Sequence, residues 1–302
     1  MTTPGRIRAG TCSWTDRTMV EAWYPPRVKS AADRLRYYAQ RFDTVEVDST
    51  FYGLPSERNA ALWAERTPPG FVFHIKAFAM LTRHGGAAGP PASSPAVDVR
   101  SASRPLRAHR PPPAELRDTV FAWFSSALAP LRDQGKLGLI LLQFPPYFVA
   151  SEPNRAYIAQ AVRLLAPDPT AVEFRHASWV KPQELPRTLD LLTELGTAYV
   201  GVDEPRLQSA GVLPPITAAT STTGYVRFHG RNAATWKARV DSAAERFKYL
   251  YTDEELAEWL EPLHRLSEET HVTYAMFNNC YADYAPRNAQ QLSALLGLDA
   301  PV

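Results

Sequence analysis

Eight short apolar runs recur along this chain, and amphipathic stretches separate almost every successive pair. The runs are 7–12 (IRAGTC), 44–48 (TVEVD), 71–76 (FVFHIK), 138–143 (GLILLQ), 170–174 (TAVEF), 198–203 (AYVGVD), 224–229 (GYVRFH) and 272–278 (VTYAMFN). Their β-branched and aromatic content, bounded by Gly, Pro or Asp, predicts strands over short helices. The clearest helix pattern is 253–266, where Leu256, Trp259, Leu260, Leu263 and Leu266 share one face and Thr252 with Glu255 forms a capping-box signature. Comparable faces mark 31–42 and 114–131, and 56–65, 153–166, 183–195 and 285–296 also read as helices. The sixth connection, 204–223, is rich in Pro and Thr and shows no helix pattern.

Strands alternating with helices favour an α/β protein with a parallel sheet. At 302 residues the expected architecture is a closed (β/α)8 TIM barrel, read as a single domain over 1–302 with a degenerate sixth helix. A doubly wound open sheet is the runner-up, but no Gly-rich fingerprint follows the first strand. Residues 82–113, dense in Pro, Ala, Ser and Arg, stand apart as a long insertion after the third strand. Their composition reads as a disordered surface segment, and their expected place above the strand ends keeps a lid in view.

Charge narrows the partners. Lysine plus arginine number 33 against 31 for aspartate plus glutamate, a net charge of +2, so indiscriminate nucleic-acid binding has no electrostatic basis. No apolar run approaches the ~20 residues that span a bilayer, so no membrane partner is expected. The start, MTTPGRIRAG, lacks the apolar stretch of a signal peptide. Cys12 and Cys280 are the only cysteines, which makes no disulfide framework, and a cytoplasmic location is expected.

Strand side chains alternate between faces, and this places polar groups inside the barrel near the strand ends. With Val45 and Val47 outward, Glu46 and Asp48 point in; with Phe73 and Ile75 outward, His74 and Lys76 point in. The same phase turns Glu173 and Arg175 inward, and Arg227 and His229 with them. Gln143 closes the fourth strand, Asp203 the sixth, and Asn278 and Asn279 the eighth. The C-terminal mouth is where TIM barrels carry their sites, and the repetition of polar ends points to binding or catalysis there. His176 falls on the opposite alternation and reads as a packing residue.

Eight segments together resemble one family: GTCSW (10–14), FDTVEVDSTFYGLP (42–55), FVFHIKAF (71–78), LLQFPP (141–146), VEFRHASW (172–179), YVRFHGR (225–231), YLYTDEELAEW (249–259) and FNNCYADYAPRNA (277–289). In order and over nearly the whole chain they are similar to the YecE-like family, also called domain of unknown function 72. The resemblance implies a TIM barrel of unestablished activity, loosely related to sugar isomerases and endonuclease IV-like barrels. It singles out Trp14, Glu46, Thr50, Phe51, Tyr52, Lys76, Gln143, Glu173, Arg175, Asp203, Arg227, His229 and Asn278. This chain departs from the pattern at Cys280, where a histidine is expected, and in its long insertion.

Three chemistries compete. In the first, a small anionic or sugar-like ligand, phosphorylated or not, undergoes acid–base chemistry. Glu46, Glu173, Lys76 and Asp203 are then the catalytic candidates, and Trp14, Tyr52, Gln143, Arg175, Arg227, His229 and Asn278 the ligand-binding ones. No cofactor is needed for it. In the second, Glu46, Glu173, Asp203 and His229 hold a divalent metal for a phosphodiesterase or nuclease, although no HxH or HExxH spacing supports this. The third is a non-catalytic ligand sensor or interaction module. Cys12 and Cys280 end neighbouring strands and read as two free thiols, since no Cys-x-x-Cys motif is present.

Overall fold

The structure is a computed structural model that describes residues 4–84, 114–207, 209, 211–236 and 243–298. From residue 85 onward, the insertion expected over 82–113 lies outside the described residues. Eight parallel strands close a barrel in sequence order. The chain runs β1 (Arg6–Thr11), α1 (Arg17–Ala22), α2 (Ala31–Ala39), β2 (Thr44–Val47), α3 (Glu57–Glu65), β3 (Val72–Lys76), α4 (Ala114–Ala127), α5 (Ala129–Asp133) and β4 (Leu137–Gln143). It continues with α6 (Glu152–Leu165), β5 (Thr170–Glu173), α7 (Leu185–Glu194), β6 (Ala198–Asp203), β7 (Thr223–Phe228), α8 (Ala233–Trp236) and α9 (Ala243–Arg246). The last elements are α10 (Asp253–Ala257), α11 (Leu260–Glu268), β8 (Val272–Phe277) and α12 (Tyr284–Leu295). The barrel closes where β1 pairs with β8, from Arg6 opposite Val272 to Thr11 opposite Phe277. No helix among the described residues is long and apolar enough to cross a membrane.

Two expected helices are broken, each for a local reason. The 114–131 pattern divides at Leu128 because Pro130, in the first turn of α5, has no N–H to continue the ladder. The 253–266 pattern divides at Glu258–Trp259, where the Trp259 amide donates three residues back to Leu256 in a tightened turn. The capping box at Thr252 forms as expected, with Thr252 accepting from the Glu255 amide and Glu255 from the Thr252 amide. No helix occurs among the described residues between β6 and β7. Thr220 instead pins that segment to β6, accepting from the Tyr199 amide and donating to the Thr197 carbonyl.

Outward strand residues, among them Val45, Val47, Phe73, Ile75, Ile140, Leu142, Val172, Phe174, Val226 and Phe228, are buried beneath the helices. At about 1.5–3 kcal/mol per buried large apolar side chain, this layer is the main source of stability. Inside the barrel, the lower half is sealed by Tyr274, Tyr225 and His74, with the His74 ring edge-on to both tyrosines at 4.2 and 5.0 Å. Gly138 makes room for that imidazole, since a Cβ there would lie 2.6 Å from His74 Nδ1. His74 Nδ1 accepts from the Leu139 amide at 3.0 Å, so this histidine belongs to the floor and not to the mouth.

Candidate functional site at the mouth of the barrel

Above that floor lies a layer of fully buried charge. Arg227 donates to both oxygens of Glu46, from Nε at 3.0 Å and Nη2 at 2.7 Å, and from Nη1 to Glu173 at 2.6 Å. The Tyr225 hydroxyl adds a bond to Glu46 at 2.9 Å. The other Glu173 oxygen accepts from Gln143 at 2.8 Å, Arg175 at 3.1 Å and His229 at 3.1 Å. Burial alone would raise the Glu173 carboxyl, but Arg227, then His229 and Arg175, overcome it and hold it well below the usual range. Both carboxylates and Arg227 are inaccessible to solvent. Such a layer is an ion cluster with its hydrogen bonds filled, and breaking it is far costlier than its net contribution suggests.

His229 is a neutral member of this layer. Burial pushes its imidazole down to about 3, against the opposing pull of Glu173. Its tautomer follows from its partners: Asn278 Nδ2 donates to Nδ1 at 2.9 Å, so Nε2 carries the proton and donates to Glu173. Gly230 follows with φ +88, a left-handed turn that a Cβ would spoil by approaching Tyr249 at 2.7 Å. Trp236 and Phe247 roof the imidazole at 6.3 and 5.9 Å between centroids, and Trp236 also lies over the Arg175 guanidinium.

Nearer to solvent the groups are less satisfied. The Lys76 ammonium makes no ion pair among the described residues and rests 4.6 Å above the Phe51 ring. Burial, with Arg227 next, lowers its pKa. Asp48, one step beyond β2 on the inner face, has its carboxyl pushed up to about 6, first by burial and against the pull of Lys76. Arg175 reaches from Glu173 to Glu204, whose carboxylate stands 2.6 Å away and whose pKa burial raises. Tyr52 lies at the rim with 71% of its surface exposed.

The chain matches the family described as "Protein of unknown function DUF72" over residues 8–301. It belongs to the DUF72 family. The curated UPF0759 protein YunF of Bacillus subtilis (strain 168) is 28% identical over 297 residues, covering 97% of this chain and 95% of that protein. Two solved DUF72 structures share the fold. The protein from Enterococcus faecalis V583 has a TM-score of 0.79 at 26% identity, over 97% of this chain and 96% of that one. The protein from Thermotoga maritima MSB8 has a TM-score of 0.74 at 31% identity, over 97% and 99%.

In this DUF72 chain the structure brings together Glu46, Lys76, Gln143, Glu173, Arg175, Arg227, His229 and Asn278 on the inner face of the strand ends. Two of the expected residues are elsewhere. Trp14 is a core residue, edge-on to Trp63 of α3 and to the outward Phe73, so its ring face is not offered to a ligand. Asp203 pairs in register with the outward Phe228 and so faces the helices. There Arg231 grips it through Nε and Nη2, and Trp259 Nε1 donates to it at 2.5 Å. The inward residue of that strand end is Glu204. Thr50 is structural as well, its hydroxyl reaching the carbonyls of Val47 at 2.9 Å and Lys76 at 2.6 Å.

The four residues considered as metal ligands do not form one shell. Asp203 lies on the opposite face, the Arg227 guanidinium bridges Glu46 and Glu173, and both nitrogens of His229 are engaged. Among the described residues no group of three or more His, Cys, Asp or Glu is placed to hold a metal ion. Cys12 and Cys280 are free thiols, and burial raises both well above the usual thiol range, so neither is an activated nucleophile. A cavity of about 960 Å³ opens at the far end of the barrel. Its cations are already committed, Arg6 and Arg8 to Asp43 and Arg41 to the Tyr37 carbonyl.

Sequence reading passed over three groups that the mouth contains. Asp48 faces inward by the same alternation as Glu46 but is not among the catalytic candidates, and burial is what raises its carboxyl. Glu204 follows a strand apolar on both faces, where Val200 and Val202 alternate with Tyr199 and Gly201, so the pattern carries no phase. His84 sits beyond β3 in irregular chain, where no periodicity locates a side chain.

Proposed function

We propose that the mouth is an acid–base site for a small anionic, sugar-like ligand, in which Asp48 and Lys76 transfer the proton and Glu46 and Glu173 serve as fixed counter-charges. The observation that carries this reading is the pairing of Lys76, an ammonium without an ion pair among the described residues, with the Asp48 carboxyl, which burial raises to about 6 against the pull of Lys76. Glu46 and Glu173 are the wrong groups for proton transfer, because every oxygen they have is already accepting from Arg227, Tyr225, Gln143, Arg175 or His229. Asp48 instead is ionised at neutral pH yet close enough to its pKa to be a competent base. Lys76 beside it stabilises negative charge as it develops on a ligand oxygen. The exposed Tyr52 ring and the Phe51 face offer apolar surface to a sugar-like body. Two free thiols suit a reducing, cytoplasmic setting.

Proton abstraction and return can be detected before the product is known. The protein is incubated in D2O with a panel of hydroxy-ketones and sugar phosphates, and deuterium incorporation is read by NMR. Exchange into one class of compound, lost in Asp48→Asn and in Lys76→Met, supports the reading. Exchange that survives both substitutions sinks it.

A further inference from the structure

Beyond β3 the chain makes one 3₁₀ turn over Ala79–Thr82 and reaches His84, whose ring stands edge-on to Phe51 with centroids 4.8 Å apart. Lys76 rests on the same Phe51 ring, which brings ammonium and imidazole to one spot of the mouth. The Thr82 hydroxyl donates to the Ala79 carbonyl at 3.2 Å, so its oxygen is the acceptor in the 2.8 Å contact with His84 Nδ1. That assigns the imidazole proton to Nδ1 and leaves Nε2 a bare lone pair, without a hydrogen bond among the described residues. The charged groups that face this ring are Lys76, Arg175 and Glu173. Burial, then Lys76 and Arg175, holds it down to about 4 while Glu173 pulls the other way, so the free protein presents a neutral acceptor. Of the Arg175 nitrogens, only Nη1 is engaged, and Nε and Nη2 make no hydrogen bond among the described residues.

Two cations whose donors are not all engaged among the described residues, beside a neutral acceptor, are unusual surroundings for an ordinary anion. A carboxylate or sulfate carries only lone pairs at neutral pH, and one of its oxygens would meet the Nε2 lone pair without a proton between them. A phosphate monoester, with its second pKa at about 6, keeps a proton on about half of its molecules at pH 6, where carboxylate and sulfate keep almost none. We infer that the anionic group received here is a phosphoryl group in its monoprotonated form, with Lys76 and Arg175 on its bare oxygens and His84 Nε2 accepting its P–OH proton. The inference rests on the reading of the mouth as an anion-taking acid–base site and adds the identity of the anion. Full transfer moves one proton from the P–OH oxygen to Nε2, leaving a phosphoryl dianion against an imidazolium, with the total charge unchanged.

The test is calorimetric titration of the full chain with inorganic phosphate and, separately, with sulfate, at pH 6 and pH 8. Phosphate should bind at least ~10-fold more tightly than sulfate at pH 6, and the preference should shrink at pH 8 as the monoanion disappears. His84→Gln, whose amide can donate as well as accept, should bring the two anions to within about twofold. Thr82→Val, which frees the tautomer without changing side-chain volume much, should also reduce the preference and stands in if His84→Gln folds poorly. Lys76→Met should weaken both anions ~10-fold or more. Equal or tighter binding of sulfate, no response to phosphate, or a preference untouched by both His84→Gln and Thr82→Val overturns the phosphoryl assignment. If sulfate binding is still weakened by Lys76→Met, the acid–base reading survives that outcome; if no anion senses Lys76→Met, both fall.

Discussion

Arg227 clasps Glu46 with two nitrogens, at 3.0 and 2.7 Å, and neither side chain has any surface in contact with solvent. The third nitrogen turns to Glu173, so one guanidinium holds β2, β5 and β7 together across the barrel. Removing it strands two buried carboxylates. Arg227→Met is therefore expected to lose ~3–5 kcal/mol or to fail to fold, whereas Glu46→Gln, which keeps an acceptor and a similar shape, should lose less. Denaturant titration ranks the two, and a reversed order would mean that the layer does not bind the strands as described.

Asp48 gives a pH signature of definite sign. Its folded pKa of about 6 lies above the ordinary aspartate value of 3.8, so the folded state binds the proton more tightly. The associated stability is full below the unfolded pKa and is lost as pH rises through about 6. Asp48→Asn should thus be more stable than the parent at pH 8, by ~1–3 kcal/mol, with the difference vanishing near pH 4. Comparing unfolding midpoints at those two pH values checks it. A variant less stable at pH 8 would show that Asp48 is chiefly an ion-pair partner of Lys76.

Three histidines set the acid limit. His74, His84 and His229 are pushed down to about 3, 4 and 3 from the ordinary histidine value of 6.5, each mainly by burial. A depressed histidine binds its proton only after unfolding, so stability falls as pH drops below ~6.5, by ~1.4 kcal/mol per pH unit for each one. Asp48 and Glu204, raised in the folded state, take up protons there and offset part of the loss lower in the window. Stability measured at pH 7, 6 and 5 should fall more steeply between 6 and 5 than between 7 and 6, and His229→Gln should remove about one proton from the lower slope. A flat profile would count against the neutral state assigned to these rings.

Behind β6, the Asp203 cage is a separate element. Trp259→Phe deletes the Nε1–H bond to Asp203 and little else, and should cost ~1.5–3 kcal/mol. Because that bond lies on the helix side, phosphate and sulfate affinities at the mouth should stay within about twofold of the parent. A large change in anion binding would tie the cage to the site.

The chain by itself determined the barrel and most of the inner ring. Period-2 strands and period-3.6 helices are local properties, and the alternation in β2, β3, β5 and β7 is unambiguous because one face of each is apolar but for Thr170 at the start of β5. That is why the alternation alone aims Glu46, Lys76, Glu173, Arg175, Arg227 and His229 inward. β6 carries apolar residues on both faces, so Asp203 and Glu204 could be exchanged, and only the register with β7 decided between them. Trp14 and His84 lie in connections, where the path is set by tertiary packing against Trp63, Phe73 and Phe51. The division of labour in the mouth was likewise a tertiary matter. Whether a carboxylate is a counter-ion or a base depends on how many donors converge on it: Glu46 and Glu173, fully buried, have all their positions filled, and the partly exposed Asp48 side chain accepts no hydrogen bond among the described residues.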